Sequence, residues 1–437
     1  MHPLKQLIIK RQQGEAVGIA SYCTANNLAL DALMEHGLAT DEYVLIEATA
    51  NQVNQFGGYT GMLPKDFADI VYKKAEQMGL SAEHIILGGD HLGPLVWSAD
   101  TAEVAMEKSR ELVRLFVLAE YTKIHLDTSM KLADDPVDEA LSPDVVAERG
   151  VELYKVCIEA FEELKTEKAE ALRPVFIIGS EVPIPGGMQS HGDSDTEEEE
   201  LEVTKVTDFE RTLEAYDLAF HKAGVPEAWN DVIAVVVQPG VEFGDDSIFH
   251  YDSENASDLC ARLKDFPNLV FEGHSTDYQT FESLTQMVED GIAILKVGPA
   301  LTFGLREALF SLSKIEAELI PAESCAHYIE VLEAMMLENP GNWQKHYQGT
   351  EAELAFKRKY SFSDRARYYM GLDAVVNAQQ KLFENLSRVR IPLNILHQYM
   401  PFQYEQVVRG ELELDPVALA KNGVIQFVQD YSVAIEG

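Results

Sequence analysis

The chain has 437 residues, 46% of them hydrophobic and 25% charged, with 35 Lys and Arg against 73 Asp and Glu and a formal net charge of −38. This is globular composition and excludes a disordered or fibrous chain. A surface this acidic repels phosphate backbones and anionic headgroups, so neither nucleic acid nor a membrane is an expected partner, and a phosphorylated ligand would need a local positive site.

The N-terminal stretch MHPLKQLIIKRQQGEAVG has no long apolar run and no small-residue cleavage site, so it does not read as a signal peptide. No run approaches the length of a membrane span. The four cysteines, Cys23, Cys157, Cys260 and Cys325, form no CxxC pair, which argues against a disulfide framework or a zinc knuckle. A cytoplasmic location is expected.

Eight short β-rich runs follow in chain order: Val17–Ser21, Tyr43–Glu47, Ile85–Gly88, Lys123–Asp127, Val175–Gly179, Val232–Gln238, Leu269–Glu272 and Ala293–Val297. Segments such as Phe67–Met78 and Ala102–Leu118 place apolar residues three and four apart, the period of a helix. Continuously apolar strands suit a parallel sheet covered on both faces. Eight βα units predict a (β/α)8 TIM barrel over residues 1–310. A doubly wound sheet is the competing fold, but no GxGxxG turn follows an early strand. Beyond Gly304 the alternation stops. Residues 305–337, 371–387 and 415–433 read as helices, so 311–437 is expected to be a helical C-terminal extension packed on the barrel. The acidic run Asp193–Glu202 reads as a solvated loop.

Active sites of such barrels lie at the C-terminal ends of the strands. Polar residues collect there in almost every unit: Ser21, Glu47 with Gln52 and Asn54, Asp90-His91, His125 with Asp127, Glu181, Gln238, Glu272 with His274-Ser275-Thr276-Asp277, and Lys296. Burying such groups without partners costs several kcal/mol each (roughly 2–7 for a neutral polar group), so a metal or a polyhydroxylated ligand is expected. Imidazole with carboxylate and no thiolate is a catalytic pattern for a divalent transition metal. The expected ligands are His91, Glu181 and His274, with Gln238 or Asp127 nearby. Asp90 is placed for general acid–base work, and Asp127 and Glu181 are further catalytic candidates. Glu47, Gln52, Asn54, His125, Gln238, Ser275, Asp277 and Lys296 are candidate substrate contacts. Lys296 as a Schiff-base nucleophile is the alternative to an electrostatic role. His84 begins the third strand and reads as structural.

The segments IEATANQVNQFGGYTGM, ILGGDHLGP, KIHLDTSM, GSEVPIPGG, VVVQPGVEFG, FEGHSTDYQ, LKVGPALTFGLREALF and YSFSDRARYY, between residues 46 and 369, resemble the non-catalytic subunit family of class II D-tagatose-1,6-bisphosphate aldolase, GatZ/KbaZ. Members are also described as tagatose 6-phosphate kinases, but the chain has no GxxxxGK[ST] segment. The family looks like a relative of class II aldolase barrels. In those an Asp-His pair ends an early strand, the His binds zinc and the Asp is the acid–base. Asp90-His91 matches that pair, and His274 matches the ligand ending the seventh strand. Gln238 stands where a third His would be, leaving Glu181 as the substitute. The resemblance therefore implies zinc, with manganese, cobalt or nickel as alternatives. The loops after strands seven and eight hold fewer glycines and the extra acid Asp277, which weighs against a bisphosphate. Some relatives epimerise ketoses at C4. The expected function is a metal-dependent ketose or ketose-phosphate 4-epimerase interconverting D-fructose and D-tagatose, or their 6-phosphates, by retro-aldol chemistry. The alternative is a stabilising subunit of a separate aldolase catalytic subunit. A homo-oligomer is expected. Lys296, Arg306, Arg365 and Arg367 are the cations that could hold a phosphate; Arg365 and Arg367 lie on a segment expected to fold over the mouth of its own or a neighbouring subunit, the alternative being a helix surface salt-bridged to the adjacent Asp364.

Overall fold

The computed structural model describes residues 1–136, 138–179 and 201–436. In chain order α1 (Pro3–Gln12) precedes β1 (Ile19–Tyr22), α2 (Asn27–Thr40), β2 (Val44–Thr49), α3 (Pro64–Met78), β3 (Ile85–Leu92), α4 (Ala102–Leu118), β4 (Lys123–Leu126), α5 (Pro143–Glu167), β5 (Val175–Ile178), α6 (Val206–Lys222) and β6 (Val232–Val237). A small antiparallel ribbon, β7 (Glu242–Phe243) and β8 (Ile248–Phe249), leads to α7 (Ser253–Leu263), β9 (Val270–Gly273), α8 (Phe281–Asp290), β10 (Ile292–Val297) and α9 (Pro299–Leu319). Eight parallel strands close in the order β1-β10-β9-β6-β5-β4-β3-β2, the (β/α)8 barrel that the eight apolar runs predict. Among the described residues no helix is long and apolar enough to cross a membrane.

Helices alone follow: α10 (Tyr328–Glu338), α11 (Glu351–Tyr360), α12 (Asp373–Ser387), α13 (Leu393–Tyr399), α14 (Pro401–Arg409) and α15 (Pro416–Ile435). The continuous helix expected over 305–337 is broken, because Pro321 cannot extend α9 and the chain restarts at Tyr328. The sequence reading missed α11, α13 and α14. In α11 only Arg358 of the ten residues is buried, so that helix shows no apolar stripe.

Two apolar clusters frame the barrel. Leu4 and Ile8 of α1 join Ile19, Leu45, Ile86, Val175, Ile177, Ile233, Val236, Val270 and Ile294 inside the strands. A larger cluster fills the space between strands and helices and continues into the C-terminal helices. Strand side chains alternate faces with period two. From the interior apolar layer the inward register therefore runs Leu45 to Glu47, Ile86 to Asp90, Val270 to Glu272 and His274, and Ile294 to Lys296. The apolar interior gives way to charge about halfway up the barrel.

Candidate functional site

Four charged residues form a layer across the barrel under its C-terminal mouth. Lys123 of β4 is fully buried and forms ion pairs with Glu47 of β2 and with Glu272 of β9, the latter at 2.7 Å. Lys296 of β10 donates to the other Glu47 oxygen at 2.7 Å and forms an ion pair with Asp90 of β3 at 2.8 Å. Ser21 adds a 2.7 Å hydrogen bond to Glu47. Gly88 makes the Glu47 position usable, since a Cβ there would sit 2.7 Å from Glu47 Cγ. Burial by itself would lower the Lys296 and Lys123 pKa values. The facing carboxylates outweigh it and push both up, that of Lys296 strongly. Lys296 is thus held as an ammonium between two carboxylates, an arrangement that suits an electrostatic role better than a Schiff-base nucleophile.

Above this layer, side-chain donor atoms of Asp90, His91, His125 and His274 all lie within 4.8 Å of one another. Each ring is held from behind. His91 Nδ1 and Asp127 Oδ2 are 2.8 Å apart, which directs His91 Nε2 inward. His274 Nε2 is 3.0 Å from Glu272 Oε1. His125 sits between the Gly179 carbonyl, 2.9 Å from Nε2, and Asp90 Oδ1, 2.9 Å from Nδ1. Burial pushes His274 down to about 3, against the Glu272 hydrogen bond. That keeps the imidazole neutral, the form that binds a metal. Burial would raise Asp90, but His91, Lys296 and the His125 hydrogen bond together hold it well below the usual carboxylate range. Asp127 is likewise held low by His91 against its burial. The donor set and its spacing fit a divalent transition metal, whose bonds to imidazole are about 2.0–2.1 Å for zinc. His91 and Ser275 also adopt left-handed backbone, with φ of 47° and 53°. Such strain costs of order 1–3 kcal/mol per residue and clusters at functional sites.

The cavity above the metal-ligand cluster measures about 220 Å³ and is lined by Gln52, Tyr59, Asp90, His91, Asp127, His274, Ser275, Asp277, Lys296, Arg365, Arg367 and Tyr368, among others. The two arginines come from the segment between α11 and α12. Asp364 anchors that segment to α9 by accepting from Arg306 Nε at 2.8 Å and Thr302 Oγ1 at 2.6 Å. Tyr278 Oη donates to the Phe362 carbonyl at 2.6 Å. At the other wall Asp277 Oδ1 accepts from the Gly298 and Ala300 N–H groups, at 3.0 and 2.8 Å, where α9 begins. Burial pushes Asp277 up to about 6 in spite of these bonds.

The structure thus brings Asp90, His91, His125, Asp127, His274, Ser275, Asp277, Lys296, Gln52, Arg365 and Arg367 to one mouth. Other expectations need correction. Glu47 lies below the cavity as the shared partner of two lysines. Asn54 organises its own loop, donating to the Ala50 carbonyl and accepting from the Phe56 and Gly58 N–H groups. Gln238 accepts from the Gly240 and Val241 N–H groups and faces a different cavity beside Val203 and Phe209, so it does not take the place of a third histidine. Arg306 is committed to Asp364. Glu181 and most of the acidic run Asp193–Glu202 lie outside the described residues. Sequence reasoning missed Lys123, whose signal was a lone charge on the inward face of an apolar strand. It also missed Tyr59 and Tyr368, which pack edge to face with ring centroids 4.9 Å apart.

Comparison with known proteins agrees with this fold. The family model of D-tagatose-1,6-bisphosphate aldolase subunit GatZ/KbaZ-like proteins matches residues 4–436. A D-tagatose-1,6-bisphosphate aldolase subunit GatZ from Klebsiella pneumoniae subsp. pneumoniae is 46% identical over 98% of this chain and 98% of its own length. The subunit of the same name from Salmonella paratyphi B is 45% identical, over 98% and 97%. A crystal structure described as a probable tagatose 6 phosphate kinase, from Sinorhizobium meliloti 1021, is 40% identical, covers 95% of this chain and 100% of that one, and superposes with a TM-score of 0.86. On the full-length match of sequence and barrel together, this chain belongs to the GatZ/KbaZ-like family.

Proposed function

We propose that the barrel mouth is a metal-dependent site for a ketose or ketose phosphate of the tagatose type, and that it supports 4-epimerisation. The observation that carries the reading is the convergence of Asp90, His91, His125 and His274 donors within 4.8 Å, each buried or half-buried and oriented from behind. His91 and His274, with His125 beside them, would hold a divalent metal, which would supply a Lewis acid for a C2 carbonyl. Asp127 and Glu272 fix the two ring orientations, as the outer partners of metal-bound histidines do. Asp90, kept ionised beside Lys296, accepts the proton of the C4 hydroxyl. The C3–C4 bond then breaks into an enolate half and an aldehyde half. The aldehyde turns, the bond re-forms on its other face, and Asp90 returns the proton, so atoms and charge balance. Deprotonation at C4 is less suited, since that proton is β to the carbonyl and poorly activated.

The names of the relatives favour a second reading more directly than the first. At 45–46% identity they are called aldolase subunits, and in this reading the chain would serve as the partner of an aldolase catalytic subunit. Purified chain, loaded with zinc, manganese, cobalt or nickel, is incubated with fructose, tagatose and their 6-phosphates. Conversion at C4 by the chain alone establishes the catalytic reading. Silence on all four sugars, together with activation of an added class II aldolase, leaves the subunit role.

A further inference from the structure

We infer that Asp277 is a specificity-determining residue: a built-in anion on the N-terminus of α9 that limits the mouth to ligands with one phosphate, which Arg365 and Arg367 hold. This rests on the ketose-phosphate reading above. In (β/α)8 barrels phosphates commonly sit where the loops after the last two strands meet a helix N-terminus, because unpaired N–H groups and the helix dipole favour an anion there. In this chain that position is already filled. The Asp277 carboxylate accepts from Gly298 and Ala300 at the start of a 21-residue helix. Among the described residues no lysine or arginine forms a direct ion pair with Asp277, although Arg367 acts on it at longer range, so a carboxylate occupies the position that a second anion would take.

The segment between α11 and α12 has the reverse character. Arg365 donates to the Asn342 carbonyl. Arg367 donates to the Ser363 and Asp364 carbonyls and to the Tyr368 hydroxyl. All of these acceptors are neutral. The neighbouring carboxylate that would have neutralised the pair, Asp364, is taken by Arg306 and Thr302. Arg365 Nε is buried without a hydrogen-bond partner. In a chain with 73 acids against 35 bases, two guanidinium groups that line one cavity and, among the described residues, form no carboxylate ion pair suit an anion. Planar guanidinium forks match phosphate oxygens.

The test is calorimetric titration of the metal-loaded full chain with tagatose, tagatose 6-phosphate and tagatose 1,6-bisphosphate. The 6-phosphate should bind at least about tenfold tighter than the free sugar, and the bisphosphate no tighter than the 6-phosphate. Asp277→Asn removes the charge and Asp277→Ser also opens the helix terminus. Both should shift the balance toward the bisphosphate, the second by about tenfold or more. Arg365→Ala and Arg367→Ala should weaken 6-phosphate binding roughly 10–100-fold more than tagatose binding. Inorganic phosphate on the unaltered chain gives a readout independent of variant folding, with one competing site expected. Tighter binding of the bisphosphate to the unaltered chain overturns the inference. So does an equal effect of the Asp277 variants on both phosphates, or a phosphate stoichiometry of zero or two. Metal content and conversion of free tagatose report separately on the proposed function, so the two ideas can fail independently.

Discussion

At the scale of single residues, each group at the mouth is specified by what stands behind it. His91 is turned by Asp127 and held in a left-handed backbone conformation. His91→Ala and His274→Ala should each lose bound metal while keeping the helical circular dichroism signal, since a site with few protein ligands has no spare donor. Metal analysis showing full occupancy in His91→Ala would reject this ligand assignment. Asp90→Asn should retain the metal and lose roughly 10²–10⁴-fold in rate, if proton transfer is its role. A variant defective only in metal content would make Asp90 a ligand instead. Asp277 bears on stability. Its pKa rises from the ordinary 3.8 to about 6 on folding, with burial as the cause. The native state therefore binds more protons between those values, so this group's contribution falls as pH rises through them and its penalty is complete above about 6. Asp277→Asn should raise the melting temperature at neutral pH, by an effect of no more than about 3 kcal/mol, and the advantage should vanish toward pH 4. Thermal unfolding across pH checks this, and a constant difference would mean the charge is not strained.

At the scale of elements, strand register places the chemistry. One-residue slippage of β3 or β9 would turn Asp90, Glu272 and His274 out of the barrel. Lys123 secures that register electrostatically, joining β4 to β2 and β9 through Glu47 and Glu272. Removing one partner of a buried ion pair typically costs about 3–5 kcal/mol. Lys123→Met should therefore lower the unfolding free energy by about that amount. By freeing Glu272 behind His274 it should also weaken metal binding roughly 10–100-fold. Denaturant melts and metal titration measure the two effects. Loss of stability with unchanged metal affinity would limit Lys123 to a structural role. The lysine and both glutamates are legible as letters in the sequence, yet their pairing is not, because they come from strands separated by dozens of residues.

At the scale of the whole molecule, the helical extension completes the barrel. We propose that the boundary near residue 310 separates two architectures, not two independently folding units. Helix α15 packs against α2, α8 and α9, with Gly304 and Gly423 in backbone contact where a Cβ on Gly304 would lie 2.2 Å from the Gly423 oxygen. Tyr431 Oη of α15 donates to the Thr276 carbonyl at 2.7 Å, bracing the loop that carries Ser275 and Asp277. Residues 1–310 expressed alone should aggregate, because the apolar faces of α2, α8 and α9 would be exposed. A soluble, cooperatively melting fragment would show instead that the barrel stands by itself. The barrel was readable in advance because eight continuously apolar runs alternating with helical periods have few other ways to bury both faces of a sheet. The Asp-His pair and His274 were readable because strand ends fix where the mouth lies. Local patterning set the elements and which of their residues reach the C-terminal rim. Which rim residues meet was left to three-dimensional packing. Only tertiary structure gave Gln238 to its own loop, Glu47 to two lysines and Asp364 to Arg306, leaving Arg365 and Arg367 without a carboxylate ion pair among the described residues. The reason is that a charge pairs with its nearest partner in space, and spacing along the chain does not carry that distance.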